Sequence, residues 1–103
     1  GEVMQESEGR EELLEALARS VAELPDKLRG AVVLHYYQRL PYEQVGAVLG
    51  CSSGTVGSRL NAARERLRNQ LAEALSVAPL SLVALEQGLE AAREAAALPP
   101  ATA

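Results

Sequence analysis

The sequence predicts an all-α domain: four helices built around a helix-turn-helix, with an extra helix at the C-terminal end. Three observations predict it. Ala, Leu, Glu and Arg, all strong helix formers, dominate the 103 residues, while β-branched and aromatic clusters are scarce. Leucines and valines recur at steps of three and four, the spacing of one helix face. Prolines at 25, 41, 79, 99 and 100 and a glycine at 50 interrupt that pattern where helices should start or stop. Three Tyr, with no Phe and no Trp, make any core an aliphatic one.

Residues 1–10 are polar and acidic and read as a frayed linker. A first helix, about Glu11 to Glu23, carries Leu14, Leu17, Val21 and Leu24 on one stripe, with Glu11, Glu12 and Glu15 near the positive end of its dipole. Pro25 opens a second helix, with Asp26 in its first turn. This helix should run to about Gln38 and bury Leu28, Val32, Val33 and either Tyr36 or Tyr37. Pro41 starts a third, Tyr42 to Leu49, with Val45, Val48 and Leu49 inside. Gly50 stands where the chain must turn with positive φ, which glycine adopts without a Cβ clash. Ser52 is placed to cap a fourth helix by accepting from the amide of Gly54 or Thr55. That helix continues through Leu60, Leu67 and Leu71 to about Leu75. Ala78-Pro79 breaks the pattern, and a fifth helix, about Leu80 to Ala97, carries Leu82, Leu85, Leu89, Ala92 and Ala96. The resulting division is a linker (1–10), a helix-turn-helix domain (11–75), an additional helix (76–98) and a tail (99–103).

Net charge is −4, but it is unevenly spread. Residues 1–30 hold eight acids against four bases, and residues 73–103 hold four acids against one base. Residues 31–72 reverse the balance, with five bases and two acids. Arg59, Arg64, Arg66 and Arg68 make most of that local excess, the kind of face that attracts phosphate. A single Cys excludes an internal disulfide framework and suits a reducing compartment. No apolar run reaches bilayer length and the start lacks a signal pattern, so the sequence reads as cytoplasmic, with no membrane partner. Gly1 in place of Met reads as a cut fragment or tag remnant of a longer protein.

Catalytic chemistry finds no support. His35 is the one histidine and has no cluster at ligand spacing, so it reads as a helix residue rather than a metal ligand. Cys51, after the turn glycine, reads as a small hydrophobe rather than a nucleophile. Glu6, Glu8, Glu11, Glu12 and Glu15 read as a solvated helix face. Gly54, Thr55 and Gly57 lack the Lys and the spacing of a phosphate-cradling loop. With no paired carboxylates, nucleophile–base set or metal constellation, the reading is a non-enzyme without metal or cofactor.

Two helices that cross steeply need a small residue in the first, a glycine at the turn and a branched residue pinning the second. Gly46, Gly50 and Val56 meet those needs, with Val45, Leu49 and Leu60 as core contacts. The second helix then presents mostly polar residues, Ser53, Thr55, Gly57, Ser58, Asn61 and Arg64, with Arg59 alongside. By spacing alone, a DNA reader and an ordinary pair in a helical bundle both remain open.

The run from Leu24-Pro25 through Leu34-His35-Tyr36-Tyr37-Gln38-Arg39-Leu40-Pro41-Tyr42-Glu43-Gln44-Val45-Gly46 and Gly54-Thr55-Val56-Gly57-Ser58-Arg59-Leu60 to Ala63-Arg64-Glu65-Arg66-Leu67-Arg68 resembles region four of bacterial sigma factors, especially the extracytoplasmic-function group. The resemblance covers roughly residues 11–75 and implies a four-helix domain without a wing. Its recognition helix would read the promoter −35 element, and the domain would dock on the β flap of RNA polymerase, with anti-sigma proteins as masking partners. It implies DNA contacts from Ser58, Arg59 and Arg64. With Ser52, Ser53 and Thr55 at the positive helix end, and Asn61 and Arg68 on the same helix, these form the candidate DNA-binding set. Tyr36, Tyr37, Val33 and Leu40 would serve the core and the flap-docking surface. The family usually has Lys at Gly57, Arg at Ala62 and a bulkier or more polar reader at Asn61, so two expected cations are missing.

Two other readings follow from these departures. One is a sigma-like module that binds an anti-sigma factor or polymerase with weakened or absent DNA binding. The other is the output domain of a response regulator, which shares the turn pattern but fits the basic helix Arg59–Arg68 less well. The fifth helix lies outside the resemblance. It should pack on its own domain or, failing that, pair with a copy of itself or cover the polymerase- or DNA-binding surface.

Overall fold

The aliphatic stripes close on one another as five helices. The computed structural model describes residues 2–97, with side chains from 9 to 95. The helices are α1 (Glu2–Ala22), α2 (Asp26–Val32), α3 (Tyr42–Leu49), α4 (Ser53–Leu75) and α5 (Leu82–Ala97). A π-helical turn, Val33–Tyr37, continues α2, and no strand occurs among the described residues. The long helix α4 packs on α1, α2, α3 and α5. Its stripe of Val56, Leu60, Ala63, Leu67 and Leu71 is buried, because those steps of three and four lie along one side. Leu17, Leu24, Val32, Val45, Leu85 and Leu89 close over it, all fully buried. Each such side chain contributes about 2 kcal/mol of burial.

Several expectations are corrected here. The linker expected over 1–10 is helical from Glu2, because no proline interrupts it and one glycine, at position 9, costs too little to stop a helix. Pro25 stands at the cap, just before Asp26, not inside the first turn. The second helix does not run as an α-helix to Gln38. It widens at Val33, and the Gln38 amide donates to the Val33 carbonyl at 3.0 Å, five residues back. That wider turn rotates Tyr36 into the core and leaves Tyr37 and Val33 half-buried, and Leu28, earlier on α2, is half-buried as well. In α3, Val48 is 63% exposed, not inside. The short helix instead turns Val45 and Gly46 inward, because Gly46 must meet the corner. α5 begins at Leu82, since Ser81 Oγ accepts from the Ala84 amide at 3.1 Å and caps the helix there. Leu82 accordingly lies at the exposed rim. The tail 99–103 and the side chains of Ala96, Glu6 and Glu8 lie outside the described residues.

The corner between α3 and α4 is built as its sequence demands. Gly50 is left-handed, with φ 75°. The amides of Gly50 and Cys51 both donate to the Gly46 carbonyl, at 2.7 and 2.9 Å. A Cβ on Gly46 would stand 2.4 Å from the Cys51 carbonyl oxygen, so any larger residue drives the two helices apart.

Candidate nucleic-acid interface

The first turns of α4 form the candidate surface. Ser52 Oγ accepts from the Thr55 amide at 3.1 Å and donates to Thr55 Oγ1 at 3.0 Å, so the N-cap is satisfied from its own side chain. The Val56 amide donates to the Ser52 carbonyl, which leaves the amides of Ser53 and Gly54 as the free donors of the helix start. Ser52, Ser53, Thr55, Ser58, Asn61 and Ala62 are exposed, and Arg59 is partly so. No acid occurs from Cys51 to Arg64. An α-helix about 10–12 Å across matches a major groove about 12 Å wide. α5 does not seal this surface. It lies against α1, the π-helical turn and α4, and its lead-in meets α4 at Arg68, more than a turn past Asn61.

The eight predicted residues divide into two groups. Ser52, Ser53, Thr55, Ser58, Arg59 and Asn61 come together at the outward end of α4. Arg64 and Arg68 instead turn toward partners within the protein, and only Arg64 touches the outward group, through Asn61. Arg64 Nε donates to Tyr36 Oη at 2.7 Å, Nη1 to Asn61 Oδ1 at 2.8 Å and Nη2 to Tyr42 Oη at 3.4 Å. Its guanidinium carbon stands 5.6 Å from the centre of the Tyr36 ring, within cation–π range. Burial works to lower its pKa, but its hydrogen bonds to Tyr42 and Tyr36 outweigh that and raise it. Arg68 Nε donates to the Leu80 carbonyl at 2.6 Å, and its Nη1 faces Glu65 at 3.8 Å. Both arginines bond to other parts of the protein while staying partly exposed.

Arg66 was missed. It is exposed and forms no ion pair among the described residues. Its signal was present: it follows Arg59 by seven residues, two turns along one stripe. The tyrosine clamp had no comparable signal, because Tyr36 lies 28 residues from Arg64 and Tyr42 lies 22. Tyr36 Oη also donates to Glu86 Oε2 on α5 at 2.9 Å. Burial above all, with Glu86 adding and Arg64 opposing, pushes the Tyr36 phenol up to about 12, so it stays a donor at any ordinary pH.

His35 Nδ1–H donates to the Leu40 carbonyl at 2.9 Å, and the ring packs edge-on against Tyr36 and Tyr42. It is a strut of the clamp. Cys51 is a free, half-buried thiol. Among the described residues, no group of three His, Cys, Asp or Glu could hold a metal ion, and no helix is long and apolar enough to cross a membrane.

The geometry places this domain among helix-turn-helix proteins. More narrowly, residues 14–67, over half of the chain, match the family Sigma-70, region 4, and the chain belongs to it. That family is a non-enzymatic module of transcription initiation. Relatives include the ECF RNA polymerase sigma-E factors of Escherichia coli (strain K12) and Salmonella typhimurium (strain LT2). Each is 39% identical over 61 residues, covering 59% of this chain and 32% of the relative. The ECF RNA polymerase sigma factor SigE of Mycolicibacterium smegmatis is 44% identical over 57 residues, covering 55% of this chain and 22% of that protein. The chain thus spans a third or less of the length of these relatives. No solved structure matches it. α5 lies wholly beyond the family match.

Proposed function

We propose that this chain is the −35-binding part of an alternative sigma factor. In this reading the outward end of α4 enters the major groove of promoter DNA, while the domain docks on the β flap of RNA polymerase. Ser58 and Asn61 face base edges. Arg59 and Arg66 meet phosphates, and the free amides of Ser53 and Gly54 hold a phosphate at the positive helix end. An anti-sigma factor that masks the same surface fits this reading as a regulatory partner. Self-association through α5 would have to use Leu82 and Val83, since Leu85 and Leu89 are buried in cis.

One observation carries the proposal: Gly46 sits so close to the Cys51 carbonyl that the corner holds an acid-free, hydroxyl-rich helix end out to solvent. The test is fluorescence anisotropy of the full chain on a short duplex DNA across salt concentrations. Binding should weaken steeply with salt, and Arg59→Ala combined with Arg66→Ala should flatten the log–log slope by about 1.8. Salt-insensitive or undetectable binding to duplex DNA, with tight binding to polymerase, would favour the protein-binding module instead.

A further inference from the structure

We infer that α5 is a built-in cover of the polymerase-docking surface, held shut by side-chain latches and displaced when polymerase seats. The inference rests on the docking reading above and deepens it by naming how that surface is regulated.

α5 lies wholly beyond the family match, yet it sits on residues inside that match. Glu86 accepts from Tyr36 Oη at 2.9 Å, and Glu90 pairs with Arg39. Glu90 also borders Leu40 in a small cleft at the end of the π-helical turn. Gly88 lets the helix come close to α1, since a Cβ there would stand 3.4 Å from Leu17 Cδ2. Leu85, Leu89 and Ala92 are buried beneath. Tyr36 and Leu40, which the family resemblance assigns to polymerase docking, thus lie under or beside α5. One groove does not hold two helices, so α5 and polymerase compete for it.

The hold is slight for a helix of sixteen residues. Up to Ala95 it buries three side chains, whereas α4 buries five. The Arg39–Glu90 latch lies at the surface, where ion pairs add little. α5 therefore opens more readily than the helices beneath it. Arg68 meanwhile grips the Leu80 carbonyl at 2.6 Å and keeps the lead-in on α4. That puts the pivot at Ser81, the cap of α5. A foothold for the competitor stands open beside the cover. Tyr37 shares with Ala92 and Ala95 a mostly apolar cleft of about 350 Å³, lined also by Leu14 and Ala18. A polymerase segment with an apolar helical face, patterned like Leu85 and Leu89, enters there and then replaces α5 along the groove.

The test is binding of the full chain to bacterial core RNA polymerase with α5 locked, released or unlatched. Arg39→Cys and Glu90→Cys in a Cys51→Ser chain are joined by a short cross-linker that a reductant cleaves, so locked and released forms are one protein. Locking should weaken polymerase binding by at least about tenfold, and cleavage should restore it. Duplex DNA binding should be the same in both forms, because α5 does not seal the outward end of α4. Glu86→Ala with Glu90→Ala should tighten polymerase binding by about tenfold, since the open form is then more populated. If that variant fails to fold, the locked and released pair decides alone. Equal polymerase binding by the locked and released forms would overturn the inference and leave the docking reading standing. An unlatched variant that doubles in mass by light scattering, with no gain for polymerase, would overturn it in favour of α5 pairing between copies. No polymerase binding by any form would overturn the docking reading and the inference together.

Discussion

The two halves of α4 share one helix and do opposite work. From Ser53 to Ala62 its polar side chains reach solvent, its one cation, Arg59, forms no ion pair among the described residues, and no acid intervenes. From Ala63 to Leu75 two of its three arginines turn back onto the protein, to tyrosine hydroxyls, a backbone carbonyl and Glu65. A count of basic residues treats Arg59, Arg64, Arg66 and Arg68 alike. Their partners do not. Phosphate attracts most the cations that a fold leaves without partners, and on α4 Arg59 and Arg66 form no ion pair among the described residues.

That contrast can be broken at its origin by Gly46→Ala. The added methyl would collide with the Cys51 carbonyl, and the corner that points the first half outward would open. Stability should fall by about 3 kcal/mol, read as a loss of Tm, and duplex binding should fall with it. A next, smaller effect sets the halves against each other. Arg64→Ala should cost about 2 kcal/mol of stability by stripping Tyr36 and Tyr42 of a charged donor. Arg59→Ala should leave Tm unchanged while lowering the salt slope of DNA binding by about 0.9. Equal losses of Tm in the two variants would erase the distinction.

Gly57→Lys sharpens it in the other direction. A Cβ there would sit 3.5 Å from the Tyr42 ring, an ordinary contact. The variant should gain about 0.7 kcal/mol of helix stability and steepen the salt slope by about 0.9, checked by thermal melts and titrations on one duplex.

The smallest effect concerns α5. Desolvation works to raise the Glu90 carboxyl, but Arg39 and Arg93 together outweigh it and hold it below the usual value. A lowered carboxylate pKa means the native state binds its proton less readily than the unfolded chain, so its stabilisation is present near neutral pH and is lost as pH falls. The Tm advantage of wild type over Glu90→Gln should therefore be small near neutral pH and shrink away as pH falls through and below the ordinary carboxylate range. An advantage that grows on acidification would contradict this pairing.

The sequence disclosed what local rules govern. Ser52 caps, Gly50 turns left-handed, and Leu60, Leu67 and Leu71 line one stripe, because each follows from residue type and helical spacing. It hid what depends on rotation and on distant partners. Val48 faces out because Gly46 must face in, which a three-residue step cannot reveal. Arg64 turns inward because tyrosines from two other elements receive it, and nothing near Arg64 in the chain announces them. The six residues that do gather at the outer end of α4 were legible because capping and helical periodicity are short-range. Arg66 could have been read the same way, by stepping two turns from Arg59.

The widened turn at Val33–Tyr37 bears on how this domain tolerates change. Each residue of an α-helix advances the direction of its side chain by about 100°, so losing one amino acid ahead of Tyr36 would normally scramble every contact made there. The tyrosine doublet softens that fault: a slip of one position carries Tyr37 into the slot that Tyr36 vacates, and a phenol still arrives beside the guanidinium. Doubling the aromatic at the widened turn gives the junction a spare part, so the grip on Arg64 can outlast a register error.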